Sequence, residues 1–355
     1  MNAVDRPRLV LHVGAPKTAS TYIQRRLRAN AERLRRHGIY VPVLREVAEM
    51  SGNAKLLPVV ISRCPSLTFQ RAFAKVDVHA LEPATIVAEL LRDWRPDSES
   101  VILSAENLRP IHAQRLRELL PGSVPTVVVL FVRRQDRWLD SYFNQMIKTN
   151  EIHEQIDLFL DRILSGDDER LCRPDWFTYY QAWRNAFGDC KVVFYDEVAS
   201  DVFRAFFTVA GFDQMPQFIE VDRAQVSLDV YELAYLLDLR APFDYANFLR
   251  HKSASEKASR RLGVHDNRSI LSAANLARLR EAFAESNERL LSELGRTAEQ
   301  SPLQLDKARN PASYISLTEL YASRRYRDYR KSADAIYARG KRRDRLKSLF
   351  TRSGQ

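Results

Sequence analysis

The chain has 355 residues, of which 45% are hydrophobic and 28% charged, and its formal net charge at pH 7 is +10. This length and composition allow a large buried core, which excludes an intrinsically disordered chain. The three cysteines are widely separated, and neither they nor the seven histidines have the spacing of metal ligands, so we expect no disulfide framework and no metal site.

Strand and helix patterns alternate from Leu9 to Gly211. They predict strands at 9–13, 101–104, 127–132 and 191–195, a short extended piece at 38–42, and helices near 20–36, 81–94, 136–148, 154–164, 175–187 and 202–210. The run at 125–132 is continuously β-branched or apolar, which is typical of a strand buried on both faces, and the other strand patterns are shorter apolar stretches. Farther on, the pattern predicts helices at 228–239 and 272–294 and a polar surface loop at 250–268. We therefore predict an α/β fold, a parallel sheet flanked by helices, with a helical C-terminal half.

The turn after the first predicted strand has the features of a phosphate-binding site. It lies within the segment from His12 to Tyr22, HVGAPKTASTY, which leads into a helical pattern. A strand, a tight turn with Lys17 and the first turn of a helix bring backbone N–H groups, a positive dipole end and hydroxyls to one place. A nucleotide-triphosphate loop would have glycine at the positions of Leu11 and Pro16, and neither glycine is there. The plainer interpretation is an ordinary turn with a solvated lysine.

A second candidate anion site follows the apolar run at 125–132. Arg133 and Arg134 come directly after this run, and Ser141 lies in the first turns of the next helical pattern. Arginine has a rigid fork of donors that suits a dianionic phosphate, and a serine hydroxyl adds a neutral donor. Arg134 is the weaker candidate of the two arginines. The alternative is that Arg133 is a solvated residue at a strand end.

Glu106 follows the short apolar run at 100–104. In open parallel sheets, ligands collect beyond the carboxyl ends of the strands, so Glu106, Lys17 and Arg133 are expected to face one crevice. A carboxylate in that position is a candidate general base. Its alternatives are to cap the following helix or to pair with an arginine.

These three segments resemble the sulfotransferases that use 3′-phosphoadenosine 5′-phosphosulfate (PAPS), in particular bacterial members with carbohydrate-type acceptors. The segment at 16–21 corresponds to the family's 5′-phosphosulfate loop, Pro-Lys-(Thr/Ser)-Gly-(Thr/Ser)-Thr, with Ala19 in place of the glycine. That replacement matters little if residue 19 is helical, and it matters if the position needs a positive φ. The family's C-terminal Arg-Lys-Gly-x-x-Gly motif has no clear counterpart, which weakens a small phenol or steroid as the acceptor.

The resemblance implies a role for each candidate residue. Lys17 and Glu106 are the catalytic residues: Lys17 stabilises the oxygen that bridges sulfur and the 5′-phosphate, and Glu106 takes the proton of the acceptor hydroxyl. The residues implied to bind PAPS are Pro16, Lys17, Thr18, Ala19, Ser20, Thr21 and Tyr22 at the 5′ end, with Tyr22 against adenine, and Arg133 and Ser141 at the 3′-phosphate. The implied activity is metal-free transfer of a sulfuryl group to a hydroxyl or amine of a carbohydrate or glycolipid acceptor.

The strand signals stop after Gly211, and this indicates the domain organisation. We expect a P-loop-like, nucleotide-binding α/β core at 1–213, a helical part at 214–320 packed on it, and a basic tail at 321–355. Residues 324–352 contain twelve lysines and arginines against three aspartates, a net charge of +9, which accounts for nearly all of the excess. Such a tail is either a solvated, partly helical end or a contact for an anionic glycan, an acidic membrane surface or nucleic acid. We keep peripheral membrane contact open and expect no nucleic acid.

Two other functions remain open at this point. A nucleotide-dependent phosphotransferase on a P-loop fold would want a magnesium-binding aspartate after a central apolar strand, where this chain has Arg133. A glycan- or nucleic-acid-binding protein would act through the basic tail. The N-terminus shows no long apolar segment and the longest apolar run is too short to cross a bilayer, so we expect a cytoplasmic protein. The oligomeric state is left open.

Overall fold

The computed structural model describes residues 7–42, 54–72, 74, 76–212, 217–221, 227–239, 244–297, 299, 301–305 and 314–352, with the backbone alone over 344–352. The boundary expected at residue 213 lies outside these residues, as do the basic side chains of the tail beyond residue 343.

Five strands form one parallel sheet. They are β1 (Leu9–Val13), β2 (Ile39–Tyr40), β3 (Ser100–Ser104), β4 (Thr126–Val132) and β5 (Cys190–Phe194). Their order is β2-β3-β1-β4-β5, and Leu9 of β1 pairs with Val101 of β3 on one side and Thr126 of β4 on the other. All five residues of β1 are buried, as expected for a strand covered on both faces. The prediction of an α/β fold with a parallel sheet is confirmed. Strand β1 lies at the centre of this sheet, and β4 lies beside it.

Helices connect and follow these strands. In chain order they are α1 (Ser20–Ala29), α2 (Ala31–Arg36), α3 (Leu56–Ser62), α4 (Leu67–Ala72), α5 (Pro83–Leu91), α6 (Ala113–Leu119), α7 (Gln135–Lys148), α8 (Ile156–Ser165), α9 (Trp176–Phe187), α10 (Tyr195–Val198), α11 (Val202–Val209), α12 (Val230–Asp238), α13 (Tyr245–Leu262), α14 (Ala273–Glu293), α15 (Leu317–Ala322) and α16 (Arg324–Arg352). Most predicted helices are found within a few residues of their predicted bounds.

The predicted helix at 20–36 is interrupted at Asn30. The carboxamide of Asn30 donates to the carbonyls of Arg26 and Ile219 and accepts from the N–H of Ile219 at 2.7 Å. These bonds fix the segment at 217–221 on α1. An asparagine that bonds backbone groups of another segment therefore divides one helical pattern into two helices.

The surface loop predicted at 250–268 is wrong over most of its length, because α13 continues to Leu262. Its buried positions are mainly small or polar, among them Ala254, Ser255, Ala258 and Ser259. Tyr329 of α16 donates its hydroxyl to the carbonyl of Ser255 at 2.9 Å. Small side chains let a tyrosine-bearing helix approach closely, and such a face carries little hydrophobic signal in the sequence.

The chain forms two compact units, each assembled from three stretches. One contains residues 1–138, 166–225 and 280–305, and the other contains 139–165, 226–279 and 306–355. Two of the divisions between these stretches fall inside helices, one in α7 and one in α14. The first unit holds the sheet, and the second holds α12, α13 and α16.

One face of the sheet packs against α1 and α11 in the first unit. Val10, Ile102 and Phe131 from three neighbouring strands are buried there against Ile23 of α1 and Phe206 of α11. This packing fixes where α1 begins relative to the ends of β1 and β4. Within the part of the chain that is described, no helix is long and apolar enough to span a membrane.

Candidate functional site

Lys17, Glu106 and Arg133 follow three neighbouring strands of the sheet. Lys17 comes after β1, Glu106 after β3 and Arg133 after β4, and β1 is hydrogen-bonded to both of the others. Along the chain, β1 is followed by β2 and β3, which lie on one side of it, and then by β4 and β5 on the other side, so the direction of the strand order reverses between β1 and β4. Ligands of open parallel sheets bind at such a reversal, beyond the carboxyl ends of the strands.

The turn after β1 begins at a glycine that the packing requires. Gly14 has a φ of +150°, and a Cβ placed on it would lie 3.2 Å from the carbonyl oxygen of Phe131. The carbonyl of Gly14 accepts from the N–H of Asn107 at 3.1 Å. The turn is therefore held between the ends of β3 and β4 by its own backbone.

Lys17 and Ala19 both have left-handed backbones, with φ values of +68° and +73°. The position at which the family motif has glycine thus has the conformation that glycine favours, and alanine is strained there. Ala19 caps α1, and its carbonyl accepts from the N–H groups of Tyr22 and Ile23 at 3.0 and 3.1 Å. The N–H groups of residues 18–21 precede this first intrahelical hydrogen bond, so they are the donors that a helix start presents to an anion.

The side chains of the turn offer an anion fewer hydrogen-bond donors than its backbone does. Thr18 is fully buried and donates its hydroxyl to the carbonyl of Ala15 at 2.8 Å, so its proton is directed into the turn. Ser20 is 4% exposed, and Thr21 is half-buried. The hydroxyl of Tyr22 accepts from the guanidinium of Arg26 at 3.0 Å. Because the Thr18 hydroxyl is bonded within the turn, the group that Thr18 can present to an anion is its N–H.

Arg133 lies against the Lys17 turn. Its Nη1 donates to the carbonyl oxygen of Lys17 at 3.1 Å, and its guanidinium lies 5.0 Å from the ring centre of Tyr195. Its side chain is half-buried, which orders a cation without removing it fully from solvent. The structure therefore brings two of the predicted cationic residues to adjoining turns.

Arg134, the weaker candidate, is bound by carboxylates. Its Nε and Nη2 donate to the two oxygens of Asp136 at 2.7 and 2.8 Å, and its N–H donates to Asp196. Burial lowers the pKa of Arg134, but the hydrogen bond and charge of Asp136 outweigh this effect, so the pKa is raised overall. A guanidinium paired in this way is a structural cation, not a phosphate ligand.

Glu106 is half-buried in the turn after β3. The backbone on either side of it is tied to the end of β1, because Ala105 donates to the carbonyl of His12 and Asn107 donates to that of Gly14, both at 3.1 Å. This pairing holds the Glu106 turn beside the Lys17 turn. Asn107 has a left-handed φ of +68° and accepts from the thiol of Cys172.

His12 is a core residue beneath the turn. It is 1% exposed, its Nδ1 lies 2.8 Å from the hydroxyl of Ser104, and its ring packs on Phe131. Burial lowers the pKa of His12 to about 3, so the ring is neutral. It supports the sheet and does not face a ligand.

Two tryptophans bind the same turns, and the sequence indicated them only as members of apolar helix faces. The indole N–H of Trp138 donates to the carbonyl of Pro16, and that of Trp176 to the carbonyl of Arg133, both at 2.8 Å.

Ser141 lies on α7 in the second compact unit and is half-buried. No cluster of potential metal ligands occurs among the described residues.

The sequence matches no protein-family model and no curated protein. Among solved structures, the chain is similar to a sulfotransferase from Alicyclobacillus acidocaldarius, with 15% identity over 83% of this chain and 98% of the other and a TM-score of 0.47. It is also similar to the sulfotransferase domain from the curacin biosynthetic pathway, with 12% identity over 82% of this chain and 98% of the other and a TM-score of 0.36.

Proposed function

We propose that this protein is a sulfotransferase that transfers a sulfuryl group from PAPS to a hydroxyl or amine of a carbohydrate-type acceptor. The observation that carries the proposal is the hydrogen bond from Arg133 to the carbonyl of Lys17, which joins two anion-binding turns that follow neighbouring strands. A nucleotide with phosphates at both its 3′ and 5′ positions presents two anionic groups to two such turns. The motif resemblance and this geometry both support the proposal.

The turn at 14–19 and the start of α1 fit the 5′ end of the co-substrate. Lys17 and Ala19 have left-handed φ values, and left-handed residues in turns are a recurring feature of concave backbone sites that bind an oxyanion through N–H groups. Pro16 and Thr21 lie in the same turn and first helical residues, and the Lys17 ammonium adds the positive charge. The fit to a phosphate therefore rests mainly on backbone donors and one cation.

Arg133 fits the 3′-phosphate. Its guanidinium makes two contacts: Nη1 donates to the Lys17 carbonyl, and the guanidinium carbon lies 5.0 Å from the ring centre of Tyr195. These contacts fix the plane of the fork before a phosphate binds, which reduces the entropy lost on binding. Ser141 and the adenine contact of Tyr22 enter the proposal through the resemblance.

PAPS, when bound, supplies a sulfuryl group that is activated for in-line displacement from its 5′-phosphate. Lys17 would neutralise the negative charge that develops on the oxygen leaving sulfur, since a cation at that point stabilises the transition state more than the ground state. Glu106 would accept the proton of the acceptor hydroxyl at a carboxylate oxygen as that hydroxyl attacks. Both residues follow strands that are hydrogen-bonded to each other, Lys17 after β1 and Glu106 after β3.

The nucleotide class is tested by calorimetric titration of the full chain with 3′-phosphoadenosine 5′-phosphate (PAP), AMP and ATP. We expect PAP to bind much more tightly than AMP, without added magnesium, because only PAP engages both turns. Equal affinities for PAP and AMP would contradict the proposal. Tight binding of ATP that depends on magnesium would favour the phosphotransferase instead.

The acceptor and the basic helix require separate tests. We propose a carbohydrate or glycolipid acceptor because the candidate base is a glutamate, as in carbohydrate-modifying members of the resembled family.

On α16, Tyr326 and Tyr329 are buried, whereas the arginines and lysines at 339, 341, 342 and 343 are exposed. Replacing these four with serine therefore tests for anionic partners without uncovering the buried tyrosines, and we expect PAP binding to be unchanged.

A further inference from the structure

Two of the four tryptophans of the chain are hydrogen-bonded to the backbone of the two proposed anion-binding turns. We infer that Trp138 and Trp176 are positioning residues, which set the spacing between the Lys17 turn and Arg133 that a nucleotide bisphosphate requires. The inference rests on the proposed function, since it concerns the same two turns. Neither indole is proposed to touch the nucleotide.

Trp138 is attached to the Lys17 turn. It lies in the first turn of α7, is fully buried, and donates its indole N–H to the carbonyl of Pro16 at 2.8 Å. Pro16 directly precedes Lys17, so this bond fixes the carbonyl on the N-terminal side of the left-handed residue. Loss of the donor would leave a buried carbonyl without this partner, and the turn would have to move to regain one.

Trp176 is attached to Arg133. It is the first residue of α9, is fully buried, and donates its indole N–H to the carbonyl of Arg133 at 2.8 Å. The rings of Trp138 and Trp176 meet edge to face, with centroids 6.0 Å apart and an interplanar angle of 87°. One aromatic pair therefore carries a hydrogen bond to each turn, and the turns are connected through it.

The helices that bear these tryptophans are themselves held by α14. Asn287 of α14 accepts from the carboxamide of Gln135, the first residue of α7, at 2.7 Å. The neighbouring Ser286 donates to the carboxylate of Asp175, which caps α9, at 2.6 Å. The sequence predicted this helix without a role, and its contacts now supply one: it fixes the starts of the two helices on which the indoles lie.

The spacing of the turns affects a bisphosphate more than a monophosphate. PAP must satisfy both turns at once, so a displacement of one turn weakens its binding. AMP engages the 5′ turn alone and tolerates that displacement. The ratio of PAP to AMP affinity therefore reports positioning, whereas general loss of stability does not change it.

The remaining tryptophans are matched controls. Trp94 donates its indole N–H to the carbonyl of Glu99 at 2.7 Å, and Glu99 lies before β3, at the opposite end of the strand from Glu106. Trp183 is fully buried, and its indole nitrogen has no hydrogen-bond partner among the described residues. Phenylalanine at Trp94 removes an equivalent hydrogen bond far from the site, and at Trp183 it removes none.

The test measures PAP and AMP affinities of the full chain by calorimetry for Trp138→Phe, Trp176→Phe, Trp94→Phe and Trp183→Phe, with thermal unfolding of each. We expect Trp138→Phe and Trp176→Phe to weaken PAP about tenfold, the equivalent of about 1.4 kcal/mol, and to change AMP by less than about threefold. The two controls should leave PAP within about threefold of the original chain, although Trp94→Phe lowers the melting temperature.

Equal weakening of PAP in Trp94→Phe, or equal weakening of PAP and AMP in the site variants, would overturn the inference while the proposed function stands. Absence of PAP binding to the original chain would overturn both. If a variant does not fold, NMR spectra of the original chain give a second test. The indole proton signals of Trp138 and Trp176 should shift on addition of PAP, and those of Trp94 and Trp183 should not. Unchanged signals from Trp138 and Trp176 would also overturn it.

Discussion

Replacement of Ala19 with glycine should stabilise the protein. Ala19 has a φ of +73°, in the region where an L-residue with a Cβ loses about 1–2 kcal/mol relative to the right-handed conformation. Glycine removes that loss, but the greater freedom of glycine in the unfolded chain takes back about 0.4–1 kcal/mol. We therefore expect Ala19→Gly to raise the free energy of unfolding by about 0.5–1 kcal/mol.

Equilibrium denaturation in urea measures this change, with Ala88→Gly as the matched control. Ala88 is exposed in the middle of α5, so glycine there should lower the free energy of unfolding by about 1 kcal/mol. The two identical substitutions are thus expected to have opposite signs. A loss of stability at residue 19 that equals the loss at residue 88 would refute the left-handed conformation on which the proposed anion-binding turn depends.

Three further changes test the site and the core beneath it. Glu106→Gln should preserve PAP binding but lower turnover about 10²–10⁴-fold, measured as PAP released from PAPS in the presence of acceptor; an active variant would require another base. Gly14→Ala should lower the free energy of unfolding by about 1–3 kcal/mol in urea, because its Cβ meets the Phe131 carbonyl, whereas Gly340→Ala, with no atom within 4 Å, should not destabilise. The folded-state pKa of His12 is lowered to about 3, so its contribution to stability is complete above the unfolded pKa of about 6.5 and is lost as the pH falls toward 3. Between pH 7 and pH 5 the original chain should therefore lose about 2 kcal/mol more than His12→Gln, and equal losses would contradict the burial of a neutral ring.

The sheet could be predicted from the sequence because its strands carry their own signal. Strands β1, β3, β4 and β5 consist mainly of apolar residues, and each was located to within a residue or two. The turns after them were recognised because cations and hydroxyls stand directly beyond such runs. Strand order, with β1 at the centre, depends on pairing between segments far apart in the chain, and no local pattern specifies it.

The missed features depend on contacts between distant segments. Asn30 ends α1 through bonds to Ile219, nearly two hundred residues away in the sequence. Helix α13 buries small and polar residues, so its packing face resembles an exposed surface when only hydrophobicity is considered. The sequence pattern indicates Trp138 and Trp176 only as residues of predicted helices, because no neighbouring residue shows that an indole N–H will reach a carbonyl of another segment.

Binding of PAP and AMP to Arg133→Ala tests the central claim most directly, with Arg137→Ala as the control. Arg137 lies four residues later, but it is exposed and paired with Asp196 at 2.7 Å. Two charge-assisted hydrogen bonds from Arg133 to a phosphate contribute about 3 kcal/mol or more, which corresponds to at least about a hundredfold in affinity. We predict that Arg133→Ala abolishes the preference for PAP over AMP and that Arg137→Ala retains it. A full preference in Arg133→Ala would show that this arginine does not bind the second phosphate, and the proposed site would be wrong.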